Sequence, residues 1–274
     1  MKSRPNFIAI LLGTSLLLTL SACDFDKEID IVLPEQANEL FLEFYLEDNA
    51  NPRGLVSYTA SYFDSLNYNL PPKLKADLIA NGDTIRLFAG LFPDIKNSKF
   101  YNILGTSQLN FQDNVTYRLQ VKDDSGRLAT AQATALPKIK VDSISTTLRV
   151  LDTSYSITIW IKDDAAATNF YRVVVNKDSS NGGASLEQLL QDNARNGTTF
   201  PITSGYDYKA GDSAIVRLYN IEKTYFDFLE SARDAERSNG NPFAQPASLI
   251  SNVKGGKGIF TILRPTTRSF VVGR

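Results

Sequence analysis

Thr116-Tyr-Arg-Leu-Gln-Val121 is the stretch that decides the fold class, because polar and apolar residues alternate strictly along it. Such alternation is typical of a β-strand with one face in a core. Asp123-Asp-Ser-Gly126 then supplies turn-forming residues, and the segment from Leu128 to Ala135 returns. The pattern predicts an antiparallel hairpin in a β-rich protein.

Strand-like segments also precede this hairpin. They are rich in β-branched and aromatic residues, or flank a turn, and they cover Leu40–Leu46, Leu55–Phe63, Lys73–Ala80 and Thr84–Phe88. Asn81-Gly82 between the last two is a strong signal for a tight hairpin. Strands and turns that repeat until Pro137 predict an immunoglobulin-like β-sandwich over residues 29–137.

Residues 138–274 predict a second β-rich domain that also carries two helices. Further strands are expected at 144–151, 155–161, 170–175, 213–219 and 269–272. A short helix is expected over Leu186–Ala194, where leucines recur at helical spacing after Ser185. A long helix is expected near 221–238, ending at Asn239-Gly240. The sequence therefore predicts a mainly β (β-rich α+β) protein.

The first 23 residues have the layout of a secretory signal peptide. Lys2 and Arg4 precede an apolar run from Ile8 to Leu20, and Ser21-Ala22-Cys23 follows. The run resembles a bacterial lipoprotein signal, which predicts cleavage between Ala22 and Cys23 and attachment of acyl chains such as palmitate to Cys23. The alternative is an uncleaved transmembrane anchor, for which the run is short against about 30 Å of hydrocarbon.

Residues 23–28 form an acidic tether after the predicted lipid. Asp24, Asp26 and Glu28 resemble the surface-export signal of Bacteroidota lipoproteins. Asp24 alone would instead match the inner-membrane retention rule of enteric bacteria, and a plain solvated tether is the third interpretation. We expect a cell-envelope protein that is lipid-anchored to the outer membrane, with a periplasmic or a surface-exposed face.

Composition excludes several kinds of chemistry. Removing Lys2 and Arg4 with the signal leaves 27 basic against 30 acidic residues, which argues against nucleic acid as a partner. The chain has no histidine and one cysteine, which excludes Ser-His-Asp catalysis and His- or Cys-based metal sites. We expect no catalytic residues, no metal and no cofactor. A hydrolase that works without histidine is the less favoured alternative.

Three further patterns each admit a functional and a plainer interpretation. Lys254-Gly-Gly-Lys-Gly258 could cradle phosphate, but it lacks the P-loop spacing and a glycine turn is favoured. Asp123-Asp124 and Asp163-Asp164 could bind calcium, but aspartates after a strand commonly form turns. A set of tyrosines in or near predicted loops hints at a binding protein: Tyr58, Tyr62, Tyr68, Tyr101 and Tyr206.

Several short motifs together resemble a Bacteroidota envelope lipoprotein family known as domain of unknown function 4249. They are Lys27-Glu-Ile-Asp30, Leu33-Pro-Glu35, Thr116–Val121, Asn169-Phe-Tyr-Arg172, Asn241-Pro-Phe243 and Ser251–Phe260. The resemblance implies a lipoprotein that is often found beside TonB-dependent outer-membrane receptors. It supplies no catalytic residues. Four triplets that begin at Asp64, Asp83, Asp142 and Asp212 also look like that group's O-glycosylation sequon.

Together these features predict an accessory or ligand-capture lipoprotein that works with a TonB-dependent β-barrel receptor. The alternative is a structural or assembly protein of the envelope that has no small-molecule ligand.

Overall fold

The computed structural model describes residues 38–59, 70–95, 99–177, 184–192, 197–238 and 248–273. The first seven strands are β1 (Leu40–Glu47), β2 (Arg53–Tyr58), β3 (Leu74–Ala80), β4 (Asp83–Asp94), β5 (Lys99–Leu104), β6 (Thr116–Asp123) and β7 (Leu128–Thr134). The next six are β8 (Val141–Arg149), β9 (Ser154–Lys162), β10 (Phe170–Lys177), β11 (Ala184–Gln191), β12 (Thr199–Thr203) and β13 (Ser213–Ile221). Helix α1 (Lys223–Ser238) then precedes β14 (Val253–Lys254), β15 (Gly256–Leu263) and β16 (Thr266–Val271).

Nine strands form one sheet in the order β14-β7-β6-β3-β4-β5-β2-β1-β15. Its two ends are built from one segment of chain, since β14 pairs with β7 and β15, one residue further on, pairs with β1. The pairing of β1 with β15 is parallel, whereas the other pairings in the sheet are antiparallel. The sheet is therefore nearly closed and barrel-like.

Glycines allow this closure because the backbones approach closely there. A Cβ on Gly258 would lie 1.9 Å from the Leu42 carbonyl oxygen, and one on Gly256 would lie 2.3 Å from that of Leu40. Gly258 also has a φ of +111°, a conformation that side chains disfavour. The predicted glycine turn in Lys254–Gly258 is thus the junction between the two closing strands.

The interior of this sheet is a core of alternating residues. In β1 the side chains of Leu40, Leu42, Phe44 and Leu46 are fully buried, while the residues between them are partly exposed. Burying one such side chain contributes about 1.5–3 kcal/mol. Inward residues of the other strands complete the core, among them Val56, Leu78, Ile103, Leu119, Val121, Ala131 and Phe260.

Two smaller sheets lie in the C-terminal half, in the orders β12-β9-β8 and β11-β10-β13-β16. They share a second core, which includes Ile157, Ile159, Ile161, Tyr171, Val173, Val216 and Leu218. The predicted immunoglobulin-like sandwich over residues 29–137 is wrong, because the N-terminal strands enter a single sheet that is completed by strands from beyond residue 250. The domain boundary between residues 137 and 138 stays a prediction.

Of the two predicted helices, the long one is present and the short one is wrong. Helix α1 lies where the long helix is predicted, and Tyr225 and Phe228 pack with Ile259 and Leu263 of β15. Most of the predicted short helix is strand β11, which pairs antiparallel with β10; residues 193–194 lie outside the described residues. The leucine spacing favours a helix, but pairing at the sheet edge overrides that local preference.

Several local predictions are confirmed. Asn81 and Gly82, with φ values of 51° and 87°, join β3 to β4, and the residues from Asp123 to Gly126 turn β6 into β7. The predicted hairpin near residues 144–161 is β8 with β9. The protein is mainly β, with 59% of the described residues in strands.

Candidate functional site

A polar depression lies on the exposed face of the nine-stranded sheet, at the seam where β14 meets β7. Its volume is about 340 Å³, and it is lined by Arg118, Thr130, Ala131, Gln132, Asn252 and Lys254. The lining residues come from β6, β7 and the segment that closes the sheet. The depression therefore exists only because the sheet closes on itself.

Strand alternation and register place these side chains together. Leu119 and Ala131 are buried, so Arg118 and Gln132 beside them project to the opposite, exposed face. Arg118 is the cross-strand partner of Gln132, and Lys254 is the partner of Thr130.

Asn252 holds the rim of the depression in place. Its Nδ2 donates to the Phe260 carbonyl oxygen at 2.7 Å, and its Oδ1 accepts from the Phe260 N–H at 3.0 Å. The same Nδ2 lies 3.2 Å from the Gln132 carbonyl oxygen. One amide thus ties the segment before β14 to both β15 and β7, which makes the rim a fixed part of the sheet.

Gln132 orients the guanidinium of Arg118. With its amide turned to accept, Gln132 Oε1 lies 3.1 Å from Arg118 Nε and 2.9 Å from Nη2. This contact occupies one edge of the guanidinium and leaves Nη1 to other acceptors. A fork of donors held in this way is suited to recognising planar or tetrahedral oxyanions.

Cations extend beyond the depression along the same face. Lys75 of β3 lies directly opposite Lys122 of β6, and like charges in that position destabilise a sheet. The neighbouring carboxylate, Asp77, forms an ion pair with Arg86. We call Arg118, Lys254, Lys75 and Lys122 the basic face; all four are exposed.

Most of the site residues predicted from the sequence lie outside the described residues. These are Ala22, Cys23, Asp24, Asp26 and Glu28, and also Tyr62 and Tyr68. Their predicted roles in lipid attachment, cleavage, export and recognition stay predictions.

The structure does not bring the described tyrosines of that set together, since each contacts a different arginine. Tyr58 lies under Arg127 at 4.9 Å, Tyr101 under Arg53 at 5.2 Å and Tyr206 under Arg149 at 4.6 Å, measured from the guanidinium carbon to the ring centre. Tyr101 belongs to strand β5 and Tyr58 ends β2, so these two lie in strands. The three rings do not form one recognition surface.

The aspartate pairs act as turn residues. Asp123 is buried and accepts from the Arg127 N–H at 2.8 Å, the Ser125 hydroxyl and the Tyr58 hydroxyl. Asp163 is buried and accepts from the Gly197 N–H at 2.7 Å, from Asn169 and from Tyr171. In the part of the chain that the structure describes, no group of three or more Asp, Glu, Cys or His residues could hold a metal ion.

A second polar cluster lies beneath α1 and is structural. Arg172 donates to the Tyr225 hydroxyl at 3.2 Å and to Glu187 at 2.9 Å. Burial raises the pKa of Tyr225 to about 12, although the charge of Arg172 opposes the shift. Tyr45 of β1 packs edge-on against the Tyr225 ring, so these contacts fix the helix to the sheets.

Three of the predicted glycosylation triplets lie in the described residues. Their hydroxyl residues, Thr84, Ser143 and Ser213, are exposed and lie in strands. Asp64 lies outside the described residues, and modification at all four triplets stays a prediction. Within the described ranges, no helix has both the length and the apolar character needed to cross a bilayer.

Comparisons with known proteins identify a family. No curated protein matches the chain. A two-domain fibronectin type-III segment of chicken tenascin is 14% identical with a TM-score of 0.22, over 67% of this chain and 91% of that one. Salmonella alpha-2-macroglobulin reacted with methylamine is 12% identical with a TM-score of 0.25, over 92% of this chain and 16% of that one. TM-scores this low do not indicate a shared fold. The profile of a domain of unknown function, DUF4249, matches residues 26–269, and the chain therefore belongs to this family.

Proposed function

We propose that this chain is an accessory lipoprotein, anchored to the outer membrane of Bacteroidota, that captures a ligand for a TonB-dependent receptor. The signal that ends in Leu20-Ser21-Ala22-Cys23 supports the anchor. Membership of the family supports the envelope setting, through the resemblance described above. The observation that carries the ligand-capture part is the polar depression at the sheet seam.

The depression is built for binding. Its side chains are two cations, one hydroxyl and two amides, of which the Asn252 amide is engaged with backbone groups; no carboxylate is among them. Thr130 would need an adjacent base to act as a nucleophile. Lys254 is its neighbour, but it is exposed, whereas a lysine that serves as a base is desolvated. A hydrolase that works without histidine gains no support from this arrangement.

The seam also gives the rigidity that a preorganised site needs. Asn252 is fixed by both polar groups of the Phe260 backbone, and Gln132 fixes Arg118. Binding then requires little ordering of side chains, which lowers its entropic cost.

The proposal is tested by a pull-down from native outer membranes that are solubilised in mild detergent. The full-length protein carries a C-terminal tag, and we expect a β-barrel receptor to co-purify with it. The control is the Cys23→Ala variant, which lacks the predicted lipid site and should recover less receptor. Recovery of the tagged protein without any β-barrel partner would contradict the proposal.

A deletion strain separates this function from a structural one. We expect slower growth on one nutrient class and an intact envelope. A leaky envelope with unchanged growth on every nutrient would favour the structural or assembly role.

A further inference from the structure

We propose that the basic face binds a ligand that carries two or more oxyanion groups, of the phosphate, sulfate or carboxylate class. The inference deepens the ligand-capture role and rests on it for its biological meaning. The binding itself is a property of the described residues and can be measured separately.

The charges of the basic face are not neutralised by described carboxylates, although the Gln132 amide contacts Arg118. None of the four forms an ion pair with a described carboxylate. Lys75 and Lys122 even lie opposite each other, at a cost to the sheet. A bound anion would remove that repulsion.

Several cations elsewhere in the described structure, by contrast, form ion pairs. Arg53 pairs with Glu47 and Asp94, while Lys138 and Arg264 both pair with Asp48. The whole chain has a net charge of −1, so an excess of positive charge on one face is a local arrangement. Such segregation attracts anions to that face and speeds their association.

The charges of the basic face are too widely spaced for one small anion. Lys254 and Lys122 belong to strands on either side of β7, and neighbouring strands lie about 4.8 Å apart. Arg118 and Lys122 are four residues apart along β6, which corresponds to roughly 13 Å. A single tetrahedral oxyanion cannot reach all four cations, whereas a ligand with several anionic groups can.

Neutral polar groups lie between the cations of the basic face. Thr130 and Gln132 place a hydroxyl and an amide beside Lys254 and Arg118. These groups can donate hydrogen bonds to anionic oxygens or accept them from ligand hydroxyls. The face therefore combines long-range attraction with short-range hydrogen bonding.

The test is calorimetric titration of the mature chain carrying Cys23→Ser, with tripolyphosphate as the soluble probe and inorganic phosphate as the single-anion probe. We expect tripolyphosphate to bind, with affinity that falls as salt rises, and inorganic phosphate to bind more weakly. The double variant Arg118→Gln/Lys254→Gln should lose about tenfold or more in affinity. Its far-UV circular dichroism and unfolding midpoint should match those of the parent, because both residues are exposed.

The matched control is Lys140→Gln/Lys162→Gln, which removes the same charge from exposed residues outside the basic face. We expect its affinity to stay within about twofold of the parent, since distant charges are screened. Absence of tripolyphosphate binding would overturn the proposal. An equal loss in both double variants would also overturn it, because the effect would then be one of net charge.

A binding experiment with lipid vesicles distinguishes a lipid headgroup from a soluble polyanion as the ligand. Binding to phosphatidylglycerol vesicles, lost in Arg118→Gln/Lys254→Gln, supports the proposal with a lipid headgroup as ligand. Binding of soluble polyanion alone supports it with a free ligand. The titration uses no receptor, so failure of the receptor pull-down leaves its result unchanged.

Discussion

Gly258 lies directly opposite Leu42 in the parallel pair of β1 and β15, although the two residues are 216 positions apart in the chain. A Cβ on Gly258 would lie 1.9 Å from the Leu42 carbonyl oxygen. This close approach closes the nine-stranded sheet and positions Asn252 and Lys254 beside β7. The candidate binding site therefore depends on a contact between the two ends of the described chain.

Substitution of Gly258 tests this dependence. We expect Gly258→Ala to lower the free energy of unfolding by about 3 kcal/mol or more, because the backbone must move and the φ is left-handed. Urea unfolding measures the change. The control is Gly126→Ala, which has a φ of +89° but nothing within 4 Å, and should cost roughly 1–2 kcal/mol. Equal costs for the two variants would refute the close approach.

Asp123 should stabilise the protein at neutral pH, and this contribution should be lost in acid. Burial alone would raise its pKa, but hydrogen bonds from Ser125, Arg127 and Tyr58 outweigh this and hold the pKa below its usual range. A depressed pKa contributes stability above the unfolded value, and this is lost as pH falls through the folded value. Melting temperatures from about pH 5 down to about pH 2 should therefore fall less steeply in Asp123→Asn. Parallel curves for the two proteins would contradict this account.

Glu222 should have the opposite effect on the pH dependence of stability. Burial raises the pKa of its carboxyl group, although hydrogen bonds from Thr134 oppose the shift. A raised pKa means that stability is lost as pH rises through the folded value. Glu222→Gln keeps an oxygen for the Thr134 N–H, which lies 3.0 Å away, and removes the partly buried charge. We expect this variant to melt higher than the parent at pH 7 and to gain less at pH 4. A lower melting temperature at pH 7 would be the contrary result.

Arg264, which follows β15, should contribute to the stability of the protein. It is only 9% exposed and bonds Asp48, Asp113 and the Leu136 carbonyl oxygen, the last at 3.0 Å. Arg264→Gln should cost about 1–3 kcal/mol, because the Leu136 carbonyl oxygen loses its charged donor and Asp48 keeps only Lys138 as an ion-pair partner among the described residues. A double-mutant cycle with Asp48→Asn checks the pairing by chemical unfolding. Strict additivity of the two changes would show that the pair is not coupled.

Local features of the sequence predicted much of the fold. The turn at Asn81-Gly82 and the alternation in Thr116–Val121 are signals carried by adjacent residues, and both hairpins form as expected. For strand β11 the sequence predicts a helix instead, since Leu186, Leu189 and Leu190 have helical spacing. Its pairing with β10 is a tertiary interaction that such spacing does not report.

Long-range pairing could not be predicted from local patterns. The parallel register of β1 with β15 joins distant segments, so the expected N-terminal sandwich missed the closing strands. The seam site was missed for the same reason, because its residues come from three separate segments. The glycines in Lys254–Gly258 were its only local signal, and they indicate the close approach of two strands.

Lipid attachment at Cys23 is the claim on which the proposed function depends most. It is tested most directly by metabolic labelling with radioactive palmitate, followed by membrane fractionation of the full-length protein and its Cys23→Ala variant. We predict that the wild-type protein carries the label in the outer-membrane fraction and that the variant carries none. An unlabelled wild-type protein, or a variant that keeps the label, would contradict the account.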